Sequence, residues 1–186
     1  MKKILSLLLA LCLLCLSAAA LAEKAQAAQN TVLELDGFTL HLTEGEAYEQ
    51  SAKKVNQVYV TVYPGVAEGD EGSNYNFVWA GAPLKFTTDD INKLLEDFES
   101  QAREQFASMG VSMDSFSKSE PYEATLNEIH CVGIDMTLTV SAGDISVDIY
   151  ERQLLLDGFE YIITLSAQTS EALDVITNKL ANALTI

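Results

Sequence analysis

Ile134, Met136, Leu138 and Val140 alternate with Asp135, Thr137 and Thr139, and Ile145, Val147 and Ile149 repeat the pattern against Ser146, Asp148 and Tyr150. Side chains two apart on a strand share a face, so this period dictates half-buried strands; a helix would need apolar residues three and four apart. Just beyond, Asp157-Gly158 separates the apolar residues 154–156 from 159–165. An Asp-Gly pair between strand-like runs is a strong hairpin signal, so three strands in chain order form an antiparallel meander.

The same grammar recurs earlier. Thr31–Leu35 and Phe38–Leu42 flank Asp36-Gly37 and predict a first hairpin. In residues 55–63, Val58, Val60 and Val62 alternate with Tyr59, Thr61 and Tyr63 up to Pro64-Gly65, and residues 75–80 are aromatic and apolar around Trp79 up to Gly81-Ala82-Pro83. Both segments read as strands ended by turn residues. Between the two groups of strands the period changes. Ile91, Leu94, Leu95, Phe98, Ala102 and Phe106 form one stripe, with Thr87 and Asp90 as a capping box in front and Gly110 behind, which predicts one long amphipathic helix. A closing helix is capped by Ser170 and carries Leu173, Ile176, Leu180 and Leu184 on one stripe. The order strands, helix, strands, helix is that of an α+β fold, a largely antiparallel β-sheet packed by two amphipathic helices.

The N-terminus follows different rules. Lys2 and Lys3 precede an apolar run over residues 4–16, and small residues follow over 17–22. That order is a secretory signal peptide, too short to span a bilayer, with Ala20-Leu21-Ala22 as one cleavage site and Ala25-Gln26-Ala27 as a second slightly downstream. Cys12 and Cys15 each follow a leucine, where a lipidation site would have a small residue. The expected organisation is a signal peptide over 1–22, a flexible lead-in over 23–30 and a single domain over 31–186, located outside the cytoplasmic membrane with no integral membrane segment after cleavage.

Removal of residues 1–22 leaves 164 of 186 residues, enough for one domain with a real core. It also removes two lysines and two of the three cysteines, so 9 basic residues face 27 acidic ones, a net charge of −18, and Cys131 has no disulfide partner. Such a charge repels nucleic acid and anionic lipid, favours solubility and attracts cations or basic surfaces.

The strand Phe38-Thr39-Leu40-His41-Leu42 running into Thr43-Glu44-Gly45, the central helix, and the hairpin 157–167 leading directly into a last helix resemble the extracytoplasmic relatives of the Mog1/PsbP fold, which include PsbP-like and bacterial DcrB-like proteins. The resemblance covers nearly all of the chain after the signal. It implies an α/β/α sandwich used as a non-catalytic binding or assembly module, and it brings no functional residue with it.

Residue chemistry points the same way. His130 and Cys131 are neighbours, but adjacent residues on a strand face opposite sides, so they cannot form a thiol-imidazole dyad unless His41 approaches from elsewhere. The chain has no Gly-x-Ser-x-Gly elbow, no phosphate loop and no dinucleotide fingerprint, and its two histidines and single remaining cysteine make no zinc set. No catalytic residue and no cofactor are expected. Asp144 and Asp148 lie about 13 Å apart if extended, beyond the carboxylate separations of glycosidases.

Two candidate sites remain. Glu68, Asp70 and Glu71 sit in an acidic, glycine-bearing loop that offers hard oxygen ligands for calcium. Tyr59, Tyr63, Tyr75, Phe77 and Trp79 lie on two strands that can present aromatic rings to a protein or small ligand. The expected function is an exported binding or accessory domain; the alternatives are a calcium- or small-ligand-binding protein and an enzyme whose site the sequence does not display.

Overall fold

In a computed structural model, residues 25–65, 72–95 and 98–186 are described. The strands are β1 (Gln26–Ala27), β2 (Thr31–Leu35), β3 (Phe38–Leu42), β4 (Ala47–Gln50), β5 (Gln57–Tyr63), β6 (Asn74–Trp79), β7 (Ser112–Lys118), β8 (Tyr122–Leu126), β9 (Ile129–Ala142), β10 (Ile145–Leu156), β11 (Tyr161–Ala167) and β12 (Leu184–Thr185). The helices are α1 (Thr88–Leu95), α2 (Phe98–Ser108) and α3 (Ser170–Ala183). Nine strands form an antiparallel sheet in the order β1-β4-β5-β6-β11-β10-β9-β7, with β8 also paired to β9, and a smaller sheet runs β12-β3-β2. The expected α+β class and the β9-β10-β11 meander are both present.

Alternation along the strands creates two cores. Val60, Val62, Tyr75, Phe77, Leu154, Leu156, Tyr161, Ile163 and Leu165 face the small sheet and the Leu173, Ile176 and Leu180 stripe of α3. Val78, Ile134, Met136, Leu138, Leu155 and Ile162 face Ile91 of α1 and Phe98, Ala102 and Phe106 of α2. Helices therefore cover both faces of the large sheet, because both faces carry apolar residues that must leave water.

The capping box forms as expected: the Thr87 amide donates to Asp90 Oδ2 at 3.1 Å and the Asp90 amide to Thr87 Oγ1 at 3.3 Å. The helix expected behind it is described as α1 and α2, with residues 96–97 between them outside the described residues. The cap of α3 is Thr169, one residue before Ser170, and its side chain accepts from the Ala172 amide at 3.1 Å.

Five strands were not expected from the sequence, among them β12, where Leu184, expected on the closing helix, instead follows its last turn and pairs with Leu40 of β3. β1 lies in the expected lead-in, where Gln26 and Ala27 pair with Tyr48 and Ala47 of β4 and Ala28 is buried. β4, β7 and β8 are polar and mostly lie at or near sheet edges, so their sequences lack an apolar alternation. The turn from β8 to β9 uses Asn127 and Glu128, both at positive φ (44° and 69°), the backbone of a type I′ hairpin without the usual glycine. The Asn127 side chain bonds the Leu184 carbonyl, which ties this turn to the small sheet.

The expected signal peptide (residues 1–22) and the calcium-loop residues Glu68, Asp70 and Glu71 lie outside the described residues. No helix among the described residues is long and apolar enough to cross a membrane.

Candidate functional site

β5, β6 and β11 lie side by side, and three aromatic rings meet at one end of them. Trp79 pairs with Tyr161 across β6 and β11 and with Gln57 across β5. Val58 opposes Val78 and Val60 opposes Phe77, so Tyr59 is the extra residue of a β-bulge. The bulge shifts the phase of β5 and brings Tyr59 to the Trp79–Tyr161 face, where it stacks on Tyr161 with ring centroids 6.5 Å apart.

Into this corner residues 51–56 deliver Lys53, whose Nζ lies 4.7 Å from the Trp79 ring, 5.7 Å from Tyr161 and 5.9 Å from Tyr59. Its ammonium also pairs with the Asp36 carboxylate in the β2–β3 turn. Each ring is held by a bond of its own: Tyr161 OH donates to Asp36 Oδ2 at 2.8 Å, Trp79 Nε1 to Glu160 Oε2 at 2.6 Å, and Gln50 Nε2 to Tyr59 OH at 2.7 Å. Burial, then the neighbouring Tyr59 and Glu160, push the Tyr161 phenol up to about 12, so it serves Asp36 as a neutral donor. The corner has the chemistry that suits a cation, here the protein's own Lys53: the ring faces carry negative potential and two carboxylates stand behind them.

The five aromatic residues singled out in the sequence separate into three groups. Tyr59 and Trp79 are half-buried and line this corner. Tyr75 and Phe77 are fully buried beneath the small sheet and present nothing to a partner. Tyr63 is also buried and, one residue out of phase with Val62, turns to the opposite face; burial and then Glu49 push its phenol up to about 12. Lys53, Asp36, Glu160 and Tyr161, which complete the corner, went unread because they are distant in sequence. Only the hairpin signal at Asp36-Gly37 hinted at one of them.

A polar belt crosses the face under α1 and α2. Gln153, Thr164, Asn76 and Thr61 are successive cross-strand neighbours, and Glu151, Ser166 and Asn74 form the adjacent row. Thr61 Oγ1 donates to Asn76 Oδ1 and Asn76 Nδ2 to Asn74 Oδ1, both at 2.7 Å, while Gln153 Nε2 donates to Glu151 Oε1 at 2.6 Å. Polar residues two apart at 74 and 76, 151 and 153, and 164 and 166 were the available sequence signal. The belt sets strand register, because a slip of one residue would turn these groups into the apolar core of the other face.

The histidines and the cysteine do not converge. Cys131 lies at the floor of a 250 Å³ cavity lined also by Tyr122, Asp135, Arg152, Leu154 and Thr177, and burial raises its thiol to about 11. His130 is exposed on the other side of β9, 3.2 Å from Glu123, and His41 lies on the small sheet, 3.0 Å from Thr185 Oγ1. Without a neighbouring imidazole the thiol stays protonated at neutral pH and is a poor nucleophile. Among the described residues no group of three or more His, Cys, Asp or Glu side chains is placed to hold a metal.

Tyr122 closes one wall of that cavity by lying over Gly133, its cross-strand partner; a Cβ at Gly133 would stand 2.5 Å from the ring. The ring must then leave Asp135, which it now bonds at 2.7 Å. Gly133→Ala is therefore expected to cost about 1–3 kcal/mol, the usual penalty of overpacking. Thermal melts of a double-mutant cycle check the cause: in a Tyr122→Ala background the same change should be nearly neutral, and an undiminished penalty there would place the clash elsewhere.

No protein-family model matches the chain, and no curated protein is similar to it in sequence. Among solved structures it is similar to cyanobacterial PsbP from Synechocystis sp. PCC 6803, with 12% identity over 86% of this chain and 94% of that one and a TM-score of 0.48. It is also similar to PA94 from Pseudomonas aeruginosa, described as a protein of unknown function and putative regulator, with 12% identity over 82% of this chain and 92% of that one and a TM-score of 0.38. These are likenesses of chain path, and no ligand or residue role comes with them.

Proposed function

We propose that the chain is an exported, non-catalytic binding or accessory domain that works outside the cytoplasmic membrane and recognises its partner through the Trp79 corner. The observation that carries this reading is the corner itself. Its three rings are each fixed by a hydrogen bond, so binding there orders little that is not already ordered. Aromatic anchors of this kind dominate recognition surfaces. The export signal supports the location, and the protonated, isolated thiol supports a role without catalysis.

Fractionation of cells expressing the full chain tests the location, and a product that stays in the cytoplasm uncleaved would defeat it. Affinity capture from the envelope fraction tests the recognition. A component retained by the native protein is expected to be recovered about tenfold less with Trp79→Ala and with Tyr59→Ala, the effect of losing roughly 1.4 kcal/mol at an aromatic anchor. Equal recovery by both variants, each confirmed folded by its melt, would move the contact surface away from this corner.

A further inference from the structure

The Trp79 corner already holds a cation, and that cation belongs to the protein. We propose that Tyr59, Trp79 and Tyr161 form a binding site for a methylated ammonium group, with Lys53 as the resident that such a ligand displaces. The proposal rests on reading this corner as the recognition site and names the ligand chemistry it selects.

The cage does not depend on Lys53. Asp36, Glu160 and Gln50 fix the three rings through their own polar atoms, so withdrawal of the lysine leaves the walls standing. The lysine side chain itself is 30% exposed, so it can leave toward solvent. It lies in residues 51–56, outside any strand or helix, between backbone bonds from the Ser51 amide to the Tyr59 carbonyl (2.9 Å) and from the Asn56 amide to the Trp79 carbonyl (2.8 Å). Its partner Asp36 is half exposed, and an ion pair of that kind contributes little.

The chemistry of the two cations differs. A primary ammonium is a compact, strongly hydrated charge that gives up N–H bonds to water when it faces aromatic rings. A methylated ammonium presents C–H groups with the charge spread over them and sheds water cheaply, which is how aromatic cages select it; it would meet the half-buried Tyr59 and Trp79 rings directly, and the Tyr161 ring, fully buried with Lys53 over it, only in place of the lysine. The protein's net charge of −16 and the carboxylates of Asp36 and Glu160 favour the approach of cations to this end.

Trp79 is the chain's one tryptophan, so its fluorescence reports the cage directly. Protein purified after expression of the full chain is titrated with tetramethylammonium chloride at constant ionic strength, as native protein, Lys53→Ala and Lys53→Gln, with ethylammonium chloride as the primary-amine control. Saturable binding is expected in both variants, about tenfold weaker in the native protein, where the ligand competes with Lys53, and weaker again for ethylammonium. Absence of saturable binding in both folded variants overturns the proposal, as does equal affinity for the two ammonium ions. Failure here with Trp79-dependent capture intact removes only the ligand class. Tetramethylammonium binding with capture lost removes only the macromolecular partner.

Discussion

Replacing Phe77 with alanine is expected to cost about 3–5 kcal/mol and to lower the melting temperature by roughly 10–15 °C, on the usual scaling for a chain of this size. The ring is fully buried. It packs against Phe38, Tyr75 and Tyr161 at centroid distances of 5.9, 6.0 and 6.3 Å, so truncation removes apolar burial and three aromatic contacts together. The neighbouring small sheet rests on Phe38 and cannot collapse into the space without breaking its own pairing. Thermal denaturation by circular dichroism checks the value. A melt within about 2 °C of the native protein would mean that Phe77 contributes less than 1 kcal/mol and faces solvent, and the aromatic surface expected from sequence would then include it.

That contrast marks where the sequence was readable. Period-two alternation survives translation into structure when both neighbours of a strand are strands and its faces differ, as in β9 and β10, and the Asp-Gly pairs at 36–37 and 157–158 became turns. β7 and β8 carry the same backbone on polar residues, because pairing with β9 on one side satisfies half of their backbone groups and the open edge leaves the rest to water, without burying much side chain. In β5 the alternation itself misled. Counting by twos places Tyr59 and Tyr63 together, but the bulge at Tyr59 resets the phase, so one ring joins the cage and the other is buried on the opposite face. A bulge leaves no mark in the apolar pattern. The Lys53 cage was less accessible still, since it joins a loop, a hairpin turn and three strands drawn from Asp36 to Tyr161. Local periodicity predicts faces, and only the pairing of strands decides which faces meet.

Arg152→Met is expected to destabilise the protein by about 2–3 kcal/mol at neutral pH, below the cost of breaking a fully buried pair because both partners reach solvent. The guanidinium grips Asp135 with two bonds of 2.8 Å across β10 and β9 and bonds Asp174 and Thr177 of α3 at 3.2 and 3.1 Å, joining helix to sheet. The Arg152 side chain is 18% exposed and Asp135 36%, so the stranded carboxylate of the variant is only partly hydrated. Burial alone would raise the Asp135 carboxyl, but the hydrogen bonds from Arg152 and Tyr122 and the charge of the guanidinium outweigh it and hold the group below its ordinary value. A carboxylate depressed in the folded state contributes stability above its unfolded pKa, near 3.9, and loses it as the pH falls through the folded value. The gap between native and variant melts should therefore be widest near neutrality and narrow below about pH 4. A gap that stays constant down to pH 3 would show that Arg152 acts through packing of its stem alone. The double variant Arg152→Met, Asp135→Leu separates the two costs: with no charge left stranded it should regain part of the loss, because an unpaired buried ion costs more than an absent one.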